Sequence, residues 1–126
     1  MSRKELNYFR ELLRRKRAEI IGDVTSMETE ALRGNSSGEI SHMPTHSADV
    51  GSDAYDQDFL LQLAASERET LKEIDAALGR IAEKTYGICE ATGQAIGLPR
   101  LEAKPWARLS IEAARERDRR LGLSGL

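Results

Sequence analysis

The sequence predicts an all-α fold, in which a long antiparallel coiled-coil hairpin carries a small C-terminal knot and a terminal helix. Charged residues make up 32% of the 126 residues and aromatic residues only 5%, a composition typical of amphipathic helices. It does not suit a β-sandwich or an α/β enzyme that encloses its substrate. Apolar residues recur at helical spacing in two long segments. A stretch rich in glycine, serine and asparagine separates these segments, which predicts one connection between two helices.

Residues 1–33 are predicted to form the first coiled-coil helix. Four apolar residues recur there every seven positions, the spacing of a helix that packs along another helix: Leu6, Leu13, Ile20 and Met27. Five basic residues lie among them, namely Arg10, Arg14, Arg15, Lys16 and Arg17. We interpret these basic residues as a solvated helix face, with a binding site for an acidic partner as the alternative.

Residues 34–52 are predicted to form the loop at the tip of the hairpin. A continuous helix is opposed there by Gly34, Gly38 and Pro44. Helical periodicity resumes near Asp53, so the second coiled-coil helix is predicted over residues 53–85. The apolar stripe of this helix is predicted to contain Phe59, Leu63, Leu71, Ile74, Leu78 and Ile81.

The predicted tip is acidic. Seven acidic residues and one basic residue, Arg33, lie between Glu28 and Asp58. The basic residues concentrate instead in the first turns of the chain and in the RERDRR run near its end, so the net charge of −2 conceals a dipolar distribution. Such a tip would suit a cation, a bound metal or a basic groove, or would only keep the loop in water.

Residues 86–126 are predicted to form the knot and the terminal helix. Glycines at near-regular intervals predict tight turns, and Gly87, Gly93 and Gly97 supply them. The final helical run is predicted to begin at Trp106 and to end near Leu121.

The residues needed for catalysis are missing, so we expect no enzyme. His42 and His46 are separated by Pro44, which opposes the helix that would align them on a metal, and Cys89 has no histidine near it in sequence. An Asp49–Asp53 acid–base pair would lack a pocket that excludes water. A net charge of −2 without interleaved aromatic residues argues against direct nucleic-acid recognition.

We expect a soluble, cytoplasmic chain without a membrane partner. No apolar run approaches the roughly 20 residues that span a bilayer. The beginning of the sequence, MSRKELNYFRELLRRKR, is charged where a signal peptide has an apolar segment.

The C-terminal segment resembles the C-terminal module of the DksA/TraR family, which are bacterial transcription factors that bind RNA polymerase. The resemblance rests on YGIC, the TG and IG pairs that follow it and RLEAKP, which together span residues 86–105. Upstream, Asp49 in THSADVGSD resembles the acidic tip motif of the family, although His46 stands where the family has its first aspartate. Residues 59–68 resemble the start of the second coiled-coil helix.

This resemblance implies a regulator that inserts its coiled-coil tip into the secondary channel of RNA polymerase and modulates initiation. Asp49 would then carry the tip carboxylate, with Gly51 at the family's small-residue position and Asp53 as a second candidate. Lys104 matches a basic position at which some members bind the alarmone guanosine tetraphosphate, and Arg100 is a further candidate contact to nucleotide or polymerase. The alternative is a structural or adaptor coiled-coil protein that kept the fold without polymerase activity.

The sequence departs from the family at its zinc site. Four cysteines, spaced as two C-x2-C pairs, commonly hold zinc in the family, and here only Cys89 remains. The other three positions carry Thr92, Ser110 and Ala113, which do not supply the thiolates of a tetrahedral site. We therefore predict a zinc-finger-like module without zinc. Its predicted core consists of Ile88, Ile96, Leu101 and Trp106.

Overall fold

The computed structural model describes residues 1–36 and 50–122, with side chains over 1–33 and 54–122. This part of the chain contains four helices: α1 (Arg3–Ser36), α2 (Val50–Ala82), α3 (Leu98–Ala103) and α4 (Ile111–Arg120). The predicted all-α class is confirmed. The chain divides into two compact units. We call residues 17–72 the hairpin unit, and residues 1–16 together with 73–126 the knot unit.

The hairpin unit pairs the second half of α1 with the first two-thirds of α2. The guanidinium of Arg68 forms an ion pair with the carboxylate of Glu28. The side-chain amide of Gln57 donates a hydrogen bond of 2.5 Å to the carbonyl oxygen of Ala31. Ala31 lies after Glu28 in α1, whereas its partner Gln57 lies before Arg68 in α2. The two segments therefore run antiparallel. The buried apolar residues of this unit include Ile20, Val24, Ala31 and Ala64.

The knot unit encloses a continuous apolar core. The ring of Phe9 lies 5.8 Å from the ring of Tyr86, and the hydroxyl of Tyr86 donates a 2.7 Å hydrogen bond to the carbonyl oxygen of Pro105. This bond satisfies a buried polar group that would otherwise oppose folding. The buried residues of this core are Phe9, Leu13, Ile74, Ala77, Ile81, Tyr86, Cys89, Ile96, Leu101 and Ala107.

The turn after α2 requires glycine at one position. Gly87 has a φ of +80°, and a Cβ atom built there would lie 2.8 Å from Cε of Met1. The positive φ would strain any other residue at this position, whereas the flexible end of the Met1 side chain could move aside. Together with the bridge between Ile88 and Ala95, this turn begins the knot.

The apolar stripe of α2 differs from the predicted one. Ile74 and Ile81 are buried as expected, but Phe59 and Leu63 are exposed and Ala64 is buried in their place. Phe59 precedes Ala64 by five residues, which at 100° per residue places it about 140° around the helix from that buried residue. The small side chain of Ala64 occupies the contact with α1. A prediction based on hydrophobicity alone was therefore wrong for Phe59 and Leu63.

The structure of the knot differs from the predicted core and from the predicted start of the last helix. Ile96 and Leu101 are buried as predicted, whereas Ile88 is exposed and Trp106 is only half-buried. The additional helix α3 begins at the Leu98-Pro99 pair, because proline suits the first turn of a helix. The last helix begins at Ile111 rather than at Trp106, because Ser110 caps it by accepting a 3.2 Å hydrogen bond from the amide of Ala113.

The bounds of the two long helices differ modestly from the predicted ranges. α1 continues to Ser36, past Gly34, and α2 begins at Val50 rather than at 53. One glycine costs a helix only about 1 kcal/mol, so Gly34 alone does not end α1. α2 ends at Ala82, and Lys84 follows with a φ of 64°, so the predicted end at 85 is three residues too late.

Candidate functional site

A closed loop in the knot unit surrounds Cys89. The amide of Cys89 donates a 2.8 Å hydrogen bond to the carbonyl oxygen of Gln94, and the amide of Gly93 donates one of 2.8 Å to the carbonyl oxygen of Cys89. The amide of Glu90 donates to the carbonyl oxygen of Arg108 at 2.9 Å, which joins this loop to the segment before α4. The loop therefore holds the thiol against Ser110, the residue that caps α4.

The Cys89 thiol is buried among hydrogen-bond donors. The residue is 1% exposed, and this burial raises its pKa. Hydrogen bonds from the hydroxyl of Thr92, the amides of Ser110 and Thr92 and the hydroxyl of Ser110 outweigh burial, so the pKa of the thiol falls from 9.0 to about 6. These donors stabilise a thiolate, as a cation or a helix N-terminus does elsewhere.

The four residues at the family's metal positions do not fit a zinc ion. Cys89 offers one thiolate, and Ala113 has no donor atom. The Thr92 hydroxyl accepts a 3.2 Å hydrogen bond from the amide of Gln94, and the Ser110 hydroxyl accepts from the amide of Ala113. Across the described residues, no group of three or more His, Cys, Asp or Glu side chains is arranged to hold a metal ion. A closed tetrahedral zinc site needs four strong ligands, which this set lacks.

A second candidate site is a cationic cavity of about 210 Å³ in the knot unit. Its lining brings together both predicted contact residues, Arg100 and Lys104. The sequence prediction missed the rest of the cationic and aromatic lining, which comprises Trp106, Arg108 and Arg117. The arrangement offers several cations and an aromatic surface to an anionic ligand.

Hydrogen bonds fix two of the cavity's guanidinium groups. Nε of Arg100 donates to the carbonyl oxygen of Leu109 at 2.7 Å. Nε of Arg108 donates to Oε1 of Glu73 at 2.7 Å, and its Nη1 donates to Oε2 of Glu90 at 3.1 Å. The bond to Glu73 raises the pKa of Arg108, so this residue stays charged. Glu73 also places a negative charge in the cavity wall, which weakens its attraction for anions.

The predicted tip residues fall largely outside the described part of the chain. Asp49, His42 and His46 lie outside it. Gly51 and Asp53 fall in the first turns of α2, where the structure describes the backbone alone. Their roles stay predictions. Among the described residues, no helix is long and apolar enough to cross a membrane.

Comparisons with known proteins find similarity both in the knot unit and along most of the chain. The family model of the prokaryotic dksA/traR C4-type zinc finger matches residues 84–119. The RNA polymerase-binding transcription factor DksA of Caulobacter vibrioides is 34% identical over 126 residues, which cover 95% of this chain and 80% of that protein. An uncharacterised protein of Aquifex aeolicus is 44% identical over 85 residues, which cover 68% of this chain and 59% of that protein.

A solved structure agrees with these sequence matches. The structure of transcription factor DksA2 from Pseudomonas aeruginosa has a TM-score of 0.81 and 33% identity, and the match covers 95% of this chain and 88% of that one. The chain belongs to the DksA/TraR family. The predicted family is thereby confirmed, and it is a family of transcription factors rather than a class of enzymes.

Proposed function

We propose that the chain is a transcription regulator that binds RNA polymerase, inserts its acidic tip into the secondary channel and modulates initiation. The observation that carries this proposal is the likeness to DksA2 over 95% of the chain, with a TM-score of 0.81. It is joined by the 34% identity to a protein named as an RNA polymerase-binding factor. We further propose that the chain acts in the cytoplasm, without sequence-specific DNA contact and without a membrane partner.

The distribution of charge supports this assignment. The hairpin unit carries 11 acidic and 4 basic residues, a net charge of −7, whereas the knot unit carries 15 basic and 10 acidic residues, a net charge of +5. A strongly acidic unit is attracted to a basic channel and to the metal ions of a nucleotidyl-transfer site. In this proposal Asp49 supplies the tip carboxylate, Gly51 stands at the family's small-residue position, and Asp53 has a secondary role.

The Asp49→Asn variant tests the role of the tip. The amide keeps the size of the side chain but removes its charge, so we expect polymerase binding to persist while the effect on promoter-complex lifetime is lost. Binding to the polymerase core and transcription in vitro are measured for both proteins. Asp23→Asn is the matched control, because Asp23 is an exposed aspartate of α1 in the same unit, and it should behave as wild type. If Asp49→Asn regulates normally, the tip carboxylate has no role; if wild type does not bind polymerase, the adaptor alternative holds.

The cationic cavity is the proposed second contact. Arg100 and Lys104 would meet the phosphates of an alarmone nucleotide or an acidic surface of polymerase. The cavity volume and the nearby Trp106 ring support a ligand that combines charge with a flat aromatic group.

We propose that the knot folds without zinc. The four metal positions supply one thiolate, and apolar side chains such as Ile96 and Leu101 fill the core. Purified protein is therefore expected to contain no stoichiometric zinc by elemental analysis, and a chelator should leave its melting temperature unchanged. A triple variant, Thr92→Cys, Ser110→Cys and Ala113→Cys, should gain one zinc ion per chain and become sensitive to the chelator. One zinc ion per wild-type chain would contradict this prediction.

A further inference from the structure

An exposed row of three apolar side chains, which we call the aromatic stripe, runs along α2 within the hairpin unit. Tyr55, Phe59 and Leu63 follow one another at intervals of four residues, and such residues share one side of a helix. They are 70%, 52% and 38% exposed. A free surface seldom exposes two aromatic rings and a leucine to water on one side of a helix. The aromatic stripe therefore points to a binding partner.

The aromatic stripe lies apart from the internal packing of the hairpin unit. Ala64 is fully buried against the rest of the unit, and it follows Tyr55 by nine residues, which is about 180° around the helix. Gln57 also faces inward, because its side chain bonds to the carbonyl oxygen of Ala31. The side of α2 that carries Tyr55 and Phe59 is therefore turned away from α1.

The charges around the stripe indicate the chemistry of its partner. Asp56 and Asp58 flank Tyr55 and Phe59, and both are exposed. The whole hairpin unit has a net charge of −7. A second copy of the chain docked on this face would bring like charges together, which disfavours association. A groove with an apolar floor and a rim of lysine or arginine residues would complement both the rings and the carboxylates.

We propose that the aromatic stripe is a docking surface that enters an apolar, basic-rimmed groove of RNA polymerase. This inference rests on the proposed function and adds the surface by which the hairpin unit is held. Aromatic side chains dominate the binding energy of many interfaces, whereas the flanking carboxylates mainly set the rate and specificity of association. The affinity therefore depends on the two rings, and it falls as salt screens the carboxylates.

The test compares two variants of the full chain in binding to the polymerase core. Tyr55→Ser combined with Phe59→Ser should raise the Kd by about tenfold or more, because both rings leave the interface. Leu61→Ser is the matched control, since Leu61 is 43% exposed on another side of the same helix. It should change the Kd by less than about twofold. Melting temperatures and light scattering of each protein show whether folding and oligomeric state are unchanged.

The outcomes separate this inference from the proposed function. If wild type and the double variant bind polymerase equally, the aromatic stripe is not a docking surface, while the proposed function stands. Failure of wild type to bind polymerase overturns the proposed function, and polymerase is then not the partner of the stripe. A wild-type dimer that the double variant dissociates assigns the stripe to a second copy. A lowered melting temperature of the double variant assigns the aromatic stripe to packing within the chain. Both the dissociated dimer and the lowered melting temperature would overturn the inference.

Discussion

Replacing Leu101 by alanine is expected to lower the free energy of unfolding by about 3 kcal/mol, because a fully buried leucine is truncated in a close-packed core. Leu101 is completely buried in the knot unit, and its Cδ1 atom lies near Gly87 at the start of the knot. In the proposed zinc-free module, buried side chains such as Leu101 would supply the stability. Denaturant titration followed by circular dichroism measures the change.

Leu98→Ala is the matched control for this prediction. Leu98 belongs to the same short helix, α3, but is exposed, so the same substitution should change stability by less than about 1 kcal/mol. Equal losses for Leu98→Ala and Leu101→Ala would show that helix α3, rather than the buried side chain, limits stability.

Stability is also expected to rise with pH through the titration of Cys89. The pKa of the folded thiol is about 6 and its ordinary value is 9.0, so between these values the folded state binds fewer protons than the unfolded state. The contribution is absent below about pH 6, grows between about pH 6 and 9 and is complete above that range. The slope inside the window is at most about 1.4 kcal/mol per pH unit.

The Cys89→Ser variant isolates this contribution, because a serine hydroxyl does not titrate in the window and all other groups are unchanged. Free energies of unfolding are measured with a reductant present at about pH 5.5 and about pH 8.5. The stability advantage of wild type over Cys89→Ser should be larger at the higher pH. An advantage that is the same at both values would mean that the folded thiol keeps its ordinary pKa, and that Thr92 and Ser110 do not stabilise a thiolate.

The first helix was predictable from sequence because its buried residues are large and regularly spaced. Leu13 and Ile20 follow the seven-residue repeat and are buried in the structure. The second helix was less predictable, because Ala64 rather than Phe59 occupies the packed face. Hydrophobic periodicity weights a phenylalanine above an alanine, and it does not show where two helices approach closely enough to require the smaller residue.

The site was predictable only in part. The family resemblance identified the metal positions at Cys89, Thr92, Ser110 and Ala113, because it aligns them with the two C-x2-C pairs of the family. The cationic cavity depends on a hydrogen bond between Glu73 and Arg108, which are 35 residues apart in the sequence. Periodicity and short motifs do not predict a contact over that separation. Arg100 and Lys104 were found through the family resemblance, whereas Arg108 and Arg117 required the fold.

Photo-crosslinking shows whether the hairpin unit enters the secondary channel of RNA polymerase. A photoreactive amino acid replaces Ala54, which is exposed near the start of α2, and a second protein carries it at Arg115, which is exposed on α4. Each protein is irradiated with polymerase core, and the crosslinked peptides are identified by mass spectrometry. We expect position 54 to crosslink to residues that line the secondary channel and position 115 to react outside it. If position 54 crosslinks only to other surfaces of polymerase, or does not crosslink to polymerase, the hairpin unit does not enter the secondary channel.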